Sequence, residues 1–257
     1  MLKVAVLGAG RMGREIVSAI ASSKDAELAG LWIRAGHPPG TLPDGALASS
    51  NLAEVLAGAE VAIDFSLPEA TLTVLDAVTR AGVPLVSGVT GLEQDAMRRL
   101  QLFARSAPLL YDRNMSIGIA VLKELVARAA PRLPQFAAEV HETHHVHKKD
   151  APSGTAIALG EVLAESVGRD FGEVYRYEPE GRAARRRPDE IVFTVTRRGE
   201  VAGEHTVIFR SDAESLELTH KVSDRRVFAR GALRAAHWLV SQPPGFYRMR
   251  DMMNGLT

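Results

Sequence analysis

The chain contains no cysteine, which excludes disulfides and thiolate chemistry and fits a reducing compartment. It has no excess charge either, with 31 basic residues against 31 acidic ones. Nucleic acid is therefore not expected as a partner, because phosphate binding needs a basic surface. No apolar run approaches the ~18 residues that a membrane helix requires, and Met1 leads almost directly into an apolar strand, leaving no room for a signal peptide. A cytoplasmic protein without a membrane partner is the expectation. Internal repeats and low-complexity tracts are absent as well. What is present is ordinary for a globular enzyme: 257 residues, 46% hydrophobic and 24% charged, enough for a large core and two domains.

Leu2 to Leu7 (LKVAVL) reads as a short buried strand that runs into GAGRMG, and the next segment, Arg14 to Ser22, has its apolar residues at Ile16, Val17, Ala19 and Ile20. That strand, turn and helix order is what the GxGxxG dinucleotide fingerprint requires. Gly8 permits the turn, Gly10 lets a pyrophosphate reach the backbone, and Gly13 lets helix pack on strand. Glu27 to Ile33 is the next strand, and it closes on Ile33 and Arg34 with no carboxylate to grip a ribose 2′-hydroxyl. Arg34 and Arg11 can act as charge-assisted donors to a 2′-phosphate, so NADPH is predicted to serve at least as well as NADH.

Further along, strands and helices alternate: a turn-rich stretch from Ala35 to Gly45, a helix near Asn51 to Ala57, a strand at Val61 to Phe65, a helix from Pro68 to Ala81, a strand at Pro84 to Ser87, a helix to about Ser106, and a strand at Pro108 to Tyr111. The pattern predicts an α/β fold with a doubly wound parallel sheet. Loops after such strands face the ligand crevice, which places Gly88, Thr90 and Asn114 near the nicotinamide end. Beyond Ile117 the pattern changes. A helix to Ala130 and a strand at Ala137 to Thr143 come before strands without helices between them: Glu173 to Tyr177, Ile191 to Arg197, His205 to Arg210 and Ser215 to Lys221. Ile191, Phe193 and Val195 alternate with Val192, Thr194 and Thr196, the mark of a mixed or antiparallel sheet. A last helix, Arg226 to Val240, is expected to return to the first domain. The basic segment Gly181 to Glu190 reads as a solvated loop. An open sheet face in the second domain makes oligomerisation through that sheet a hypothesis.

The most concentrated chemistry lies in Glu139 to Ala156, EVHETHHVHKKDAPSGTA, which holds four of the eight histidines together with Lys148 and Lys149. So much positive charge is costly unless an anion shares it. Asp150, Pro152 and Ser153 are helix-start signals, and the apolar spacing from Thr155 to Val167 is helical. Backbone N–H groups at Gly154 and Thr155 would then face an anion, which orphan donors and the helix dipole both favour. A small dicarboxylate or a phosphate is the inferred ligand. Neutral imidazoles with Asp150 could instead hold zinc or nickel, but the intervening lysines would repel the ion, and no metal is expected. A ligand-free basic loop is the bland alternative; Gly154, which allows close approach to the backbone, argues against it.

With these residues in place, the chain resembles the dihydrodipicolinate reductase family, more fully 4-hydroxy-tetrahydrodipicolinate reductase, of the diaminopimelate route to lysine. HHVHKKDAPSGTA carries the resemblance most specifically, and GAGRMG, VSGVTG, RNMSIG, RRGEVAGEHTVIF and the C-terminal helix support it in order along nearly the whole chain. The resemblance implies a Rossmann-like cofactor domain, residues 1–115 plus 226–257, and an α+β substrate-binding and tetramerisation domain, residues 116–225, with a mixed open sheet. It implies a homotetramer acting on a dicarboxylate with NADPH or NADH. It makes His144 and Lys148 the proton-handling pair, with His145, Ser153, Gly154 and Thr155 holding the substrate. Cofactor contacts fall on Gly8, Ala9, Gly10, Arg11, Met12, Gly13, Arg34, Gly88, Val89, Thr90, Asp112, Arg113, Asn114 and Met115. The chain departs from many members at Ile33, where they have an acid, at Val89, where they have a second threonine, and at Arg113, where they have a small residue or proline. These changes touch cofactor fit rather than the chemistry.

Hydride addition to a conjugated cyclic imine leaves an enamine that must be protonated on carbon. His144 has a side-chain pKa naturally near operating pH, and Lys148 stands close in sequence, so either could deliver the proton. Two rivals remain at this level. An aspartate- or homoserine-dehydrogenase-like enzyme would not need the histidine and lysine loop with its SGT helix start. A regulatory module that binds NAD(P)H without turnover would not need a proton donor beside a carboxylate cradle.

Overall fold

The computed structural model describes residues 1–37, 42–43, 45–178 and 188–254. Parts of the turn-rich stretch Ala35 to Gly45 and of the basic segment Gly181 to Glu190 therefore lie outside the described residues. The chain divides into two compact units, one formed by Ile117–Arg225 and the other by the segments on either side of it.

The first segment runs β1 (Leu2–Leu7), α1 (Arg11–Ala21), β2 (Ala26–Trp32), β3 (Ala48–Ser49), α2 (Leu52–Leu56), β4 (Val61–Asp64), α3 (Thr71–Ala81), β5 (Leu85–Ser87), α4 (Gln94–Phe103) and β6 (Pro108–Tyr111). Asn51 caps α2 by accepting from Ala53 N, and Gly82 ends α3 in the left-handed conformation at φ +66°. The predicted helix from Pro68 begins as a 3₁₀ turn over Pro68–Ala70, because proline suits a first turn and the α-helical ladder settles only after it.

The inserted unit runs α5 (Ile117–Ala129), β7 (Ala137–His144), α6 (Gly154–Ser166), α7 (Phe171–Val174), β8 (Tyr175–Tyr177), β9 (Ile191–Arg197), β10 (Gly203–Arg210) and β11 (Ser215–Val222). Its sheet has the order β11-β10-β7-β9-β8. The β10 strand is antiparallel to both β11 and β7, whereas β7, β9 and β8 run parallel. The sheet is thus mixed. One face buries Val140, Phe193, Val207 and Phe209 against Ile119, Leu122 and Val126 of α5 and Leu159 and Leu163 of α6. Each such side chain stabilises by about 1.5–3 kcal/mol as an upper estimate. Glu173 and Val174 are helical rather than extended, because Asp170 accepts from Gly172 N and Glu173 N and caps a short helix ahead of the strand.

The chain then returns through α8 (Arg226–Leu239), β12 (Gly245–Tyr247) and α9 (Met249–Asn254). The order β12-β6-β5-β4-β1-β2-β3 makes a seven-stranded sheet, parallel throughout. Ala5, Leu7, Ala62 and Leu85 pack with residues of α2, α3 and α4 on one face, while α1 and α8 pack together beside the same sheet. This is the doubly wound arrangement. The edge strand β12 was not expected from the sequence. Its hold on β6 is reinforced by Arg248, which donates to Tyr111 O at 3.0 Å and lies over the rings of Tyr111 and Phe246.

Candidate active site

The order of the parallel sheet reverses between β1 and β4, and open α/β sheets bind ligands beyond the strand ends at such a point. The glycine turn sits there. Gly8 has φ +104°, and a Cβ on it would meet Phe65 O and Ser66 Cα at 3.0 Å. A Cβ on Gly13 would lie 1.8 Å from Gly8 O, so the third glycine is demanded by the carbonyl of the turn itself, a closer constraint than helix-on-strand packing. Around Gly10 the situation is opposite: apart from its chain neighbours and its own helix backbone, no atom of the described residues lies within 4 Å of a Cβ built there. As N-cap of α1, Gly10 makes no side-chain cap bond, and the first turn carries no acidic residue. Open space beside uncapped helix-start donors fits a dinucleotide pyrophosphate. Ala9 and Met12 are half-buried, Arg11 is exposed at the first helical position, and Arg34 is exposed just past β2.

Four backbone bonds align the strand ends: Gly8 N to Trp32 O, Phe65 N to Leu7 O, Gly88 N to Asp64 O and Asp112 N to Ser87 O. The predicted loops thus lie in a row along one sheet edge. The Phe65 ring fills the place of a side chain at Gly88, 2.3 Å from where its Cβ would be. The Val89 and Met115 side chains are 2% and 1% exposed; they belong to the core, leaving their main chain for any ligand. Thr90 is exposed, Asp112 is buried, and Arg113 and Asn114 are half-buried. Asn114 Oδ1 accepts from Ser116 N at 2.8 Å. Asp64, at the end of β4, was not expected as a feature. Burial pushes its carboxyl up to about 6, and its Oδ2 is buried without a hydrogen-bond partner among the described residues.

In the inserted unit, strand periodicity sorts the histidines. His144 lies on the inner face of β7 with Val140 and Glu142, whereas His141 lies on the other face, bonded to Thr194 Oγ1 at 2.8 Å. His147 is exposed, 3.6 Å from Glu200. His141 is therefore separated from the other three histidines of the segment, and His144 joins a different group. The β7 register sets Glu142 opposite His205 on β10, and His144 opposite Arg197 on β9. Glu142 is fully buried. Its carboxylate lies 3.4 Å from Arg197, 3.6 Å from His144 Nδ1 and 3.7 Å from His205 Nε2. Both of its oxygens accept from Ser153 N at 3.1 Å.

The loop after β7 is braced by the same side chains. The Arg197 guanidinium donates to Lys148 O at 3.2 Å and Asp150 O at 2.6 Å. Lys148 Nζ reaches both Asp150 oxygens at 2.8 Å. Ser153 caps α6 by accepting from Ala156 N, leaving Gly154 and Thr155 as the first two helical residues, again with no acid in the first turn. The structure thus brings His144, Lys148, Ser153, Gly154 and Thr155 into one loop and helix start. His145 is half-buried, and its pKa is held below the usual value, by desolvation first and then by Arg225.

His144 does not titrate near neutrality as the sequence suggested. Burial first, then Lys148 and Arg197, pushes its pKa down to about 4. Burial and the neighbouring His144 push His205 to about 3. Both imidazoles are neutral at pH 7 in the free protein. The rings stand edge to face, with centroids 5.1 Å apart.

Two family models cover the chain: dihydrodipicolinate reductase, N-terminus, matches residues 2–115, and dihydrodipicolinate reductase, C-terminus, matches residues 118–253. This chain belongs to the dihydrodipicolinate reductase family. Curated relatives named 4-hydroxy-tetrahydrodipicolinate reductase include one from Anaeromyxobacter dehalogenans, 44% identical over 98% of each chain, and one from Halorhodospira halophila, 40% identical over 98% of each. Among solved structures, the dipicolinate-bound dihydrodipicolinate reductase of Paenisporosarcina sp. TG-14 matches with a TM-score of 0.77 over 96% of this chain and 97% of that one, at 20% identity. An amine dehydrogenase from Mycobacterium smegmatis matches at 0.64 over 97% and 95%, at 14% identity. At these identities the structures speak for the fold. As a family member the chain is an NAD(P)H-dependent oxidoreductase.

Sequence reasoning missed three residues at the heart of this reductase's histidine site: Glu142, Arg197 and His205. A signal for them exists. Val140 is followed on the inner face by Glu142 and His144, Phe193 and Val195 by Arg197, and Phe209 and Val207 are preceded by His205. In each strand an apolar face ends in polar groups. A buried charge at a core-facing strand position requires partners, and three such positions on paired strands supply one another. Among the described residues, no helix is long and apolar enough to cross a membrane.

Proposed function

We propose that this reductase converts 4-hydroxy-tetrahydrodipicolinate to tetrahydrodipicolinate, using NADPH or NADH, with His144 and Lys148 handling the proton. The observation that carries the reading is the full-length identity of about 40% to reductases bearing that name, joined to a cationic loop and helix start suited to a dicarboxylate.

Loss of water across C4 and C5 of the substrate ring gives a conjugated imine. When bound, the reduced nicotinamide supplies the hydride that C4 accepts. The ring electrons then move to nitrogen, and the resulting enamine takes a proton at C5. His145, Lys148, Ser153 and the N–H groups at the start of α6 hold the ring carboxylates, each charge-assisted bond contributing roughly 1.5–3 kcal/mol. An incoming carboxylate competes with Asp150 for Lys148 Nζ. Two added negative charges also raise the proton affinity of His144, which burial and its cationic neighbours depress in the free protein. Substrate binding thus shifts His144 toward its protonated form, and the proton-delivery step belongs to the pair.

In the first unit, Gly8 to Gly13, Arg34, Gly88 to Thr90 and Asp112 to Met115 hold the dinucleotide. The absence of a carboxylate at Ile33 together with the exposed Arg34 supports use of NADPH at least as well as NADH. Assembly as a homotetramer in the cytoplasm is part of the same proposal.

The test is oxidation of NADPH and NADH, followed by absorbance, on adding the condensation product of pyruvate and aspartate semialdehyde. Rapid oxidation is expected with that product and none with aspartate semialdehyde alone. No oxidation with either cofactor would overturn the reading.

A further inference from the structure

The fully buried Glu142 lies away from every role assigned above, yet its carboxylate is the hub of the histidine site. It faces His144 and His205 along the inner sheet face, Arg197 across β9, and the amide of Ser153 at the start of α6. Among the described residues, His144 Nδ1 is buried without a hydrogen-bond partner; the carboxylate oxygen Oε2 stands 3.6 Å from it. Its other ring nitrogen, Nε2, borders Gly203. The other charged or titratable groups facing this ring are Lys148, Asp150 and His145 from the loop, Arg197 from β9 and His205 from β10.

We propose that Glu142 is a positioning residue for the reaction: it holds His144 in the Nδ1–H tautomer, so that Nε2 is the atom that carries the transferable proton, and it fixes the start of α6 through Ser153. The inference rests on the reductase reading above. A carboxylate beside the far nitrogen of an imidazole selects the tautomer and stabilises the imidazolium formed when the near nitrogen takes up a proton. Here it also ties the two halves of the site together. Ser153, which opens the helix that carries Gly154 and Thr155, hangs on the carboxylate that faces His144. Arg197 stands 3.4 Å from the carboxylate and grips the backbone of Lys148 and Asp150. Glu142, His144 and His205 are close enough to reach one cation, but the guanidinium already opposes the only carboxylate among them, so the cluster works as an acid serving imidazoles.

Glu142→Gln keeps the volume and one acceptor for Ser153 N while removing the charge. Turnover should fall about 100-fold, with dinucleotide affinity unchanged and KM altered far less than kcat. The alkaline limb of the kcat profile should move down by about one pH unit or more, as a lost carboxylate neighbour requires. In the His144→Gln background the same change should cost little further turnover. An unmoved limb, or full additivity with His144→Gln, would overturn the inference. Should the variant not fold, the wild-type protein still decides: ¹⁵N-histidine correlation spectra should show His144 protonated at Nδ1 near neutral pH, and an Nε2–H tautomer would overturn it. Wild-type protein that fails to oxidise the cofactor sinks the functional reading, whereas active wild type with these signatures missing sinks only the role of Glu142.

Discussion

A Cβ built on Gly231 would lie 1.8 Å from the carbonyl oxygen of Met115. Helix α8 therefore approaches the end of the Asp112 to Ser116 loop backbone to backbone, and that loop is held at the sheet edge by a residue more than a hundred positions away. Gly231→Ala forces the two apart. The expected loss is about 2–4 kcal/mol, at the upper end for overpacking because backbone rather than a side chain must move, and it should appear as a lower Tm and weaker dinucleotide binding together.

Gly10 and Gly13 should separate stability from binding. At Gly10 an added Cβ finds open space among the described residues, so Gly10→Val should unfold at nearly the wild-type temperature while abolishing dinucleotide binding in a fluorescence titration. Gly13→Ala strikes the Gly8 carbonyl and should lower Tm outright. Tight binding by Gly10→Val would contradict the loop assignment.

Lys148→Ala removes the Asp150 partner and one member of the proton pair. Its kcat should drop by about 10²–10⁴ and substrate binding should weaken, with cofactor binding and folding nearly intact, since only an ion pair with an exposed carboxylate is lost. His144→Gln should act mainly on kcat. Steady-state kinetics with both variants check this, and unchanged turnover in Lys148→Ala would put the proton source elsewhere.

Arg34→Ala should reduce kcat/KM for NADPH while sparing NADH. A clear NADH preference in wild type that this substitution leaves untouched would refute a role for Arg34 at a 2′-phosphate.

The buried ionisable groups make opposite contributions as pH falls. For His144 and His205, with folded values of about 4 and about 3 against an ordinary 6.5, the unfolded chain binds protons first. Their contribution is full above pH 6.5 and is lost on acidification, at most about 1.4 kcal/mol per pH unit for each group. Asp64, raised from 3.8 to about 6, takes its proton first in the folded state, so its contribution rises as pH falls below 6. Hydrogen exchange compared at neutral pH and about pH 5, where ordinary carboxylates stay ionised, should show β7 and β10 losing protection while β4 keeps it.

Much of this was legible in the linear chain because the signals are local. Apolar runs of four to seven residues gave β1, β6 and β9 their bounds within a residue. The alternation of β9 announced a sheet with one buried face, and the glycine spacing marked the turn because each glycine there answers a steric demand a few residues away. The short elements β3 and β12 were not legible. Two or three residues carry too little periodicity, and what makes them strands is a neighbour's edge: Leu31 and Trp32 for β3, Pro108 to Leu110 for β12.

The histidine site divides along the same line. Residue types and spacing by themselves determined that a cationic loop opens a helix through Ser153, Gly154 and Thr155, since those signals are read within one turn of chain. Only the tertiary structure decided which histidines belong together. Strand register put His141 on one face and His144 on the other, then brought His205 and Arg197 from distant strands to Glu142. Burial lowered the pKa of His144, for a group's proton affinity depends on what surrounds it in space, and those surroundings combine the adjoining Lys148 with Arg197 from a distant strand.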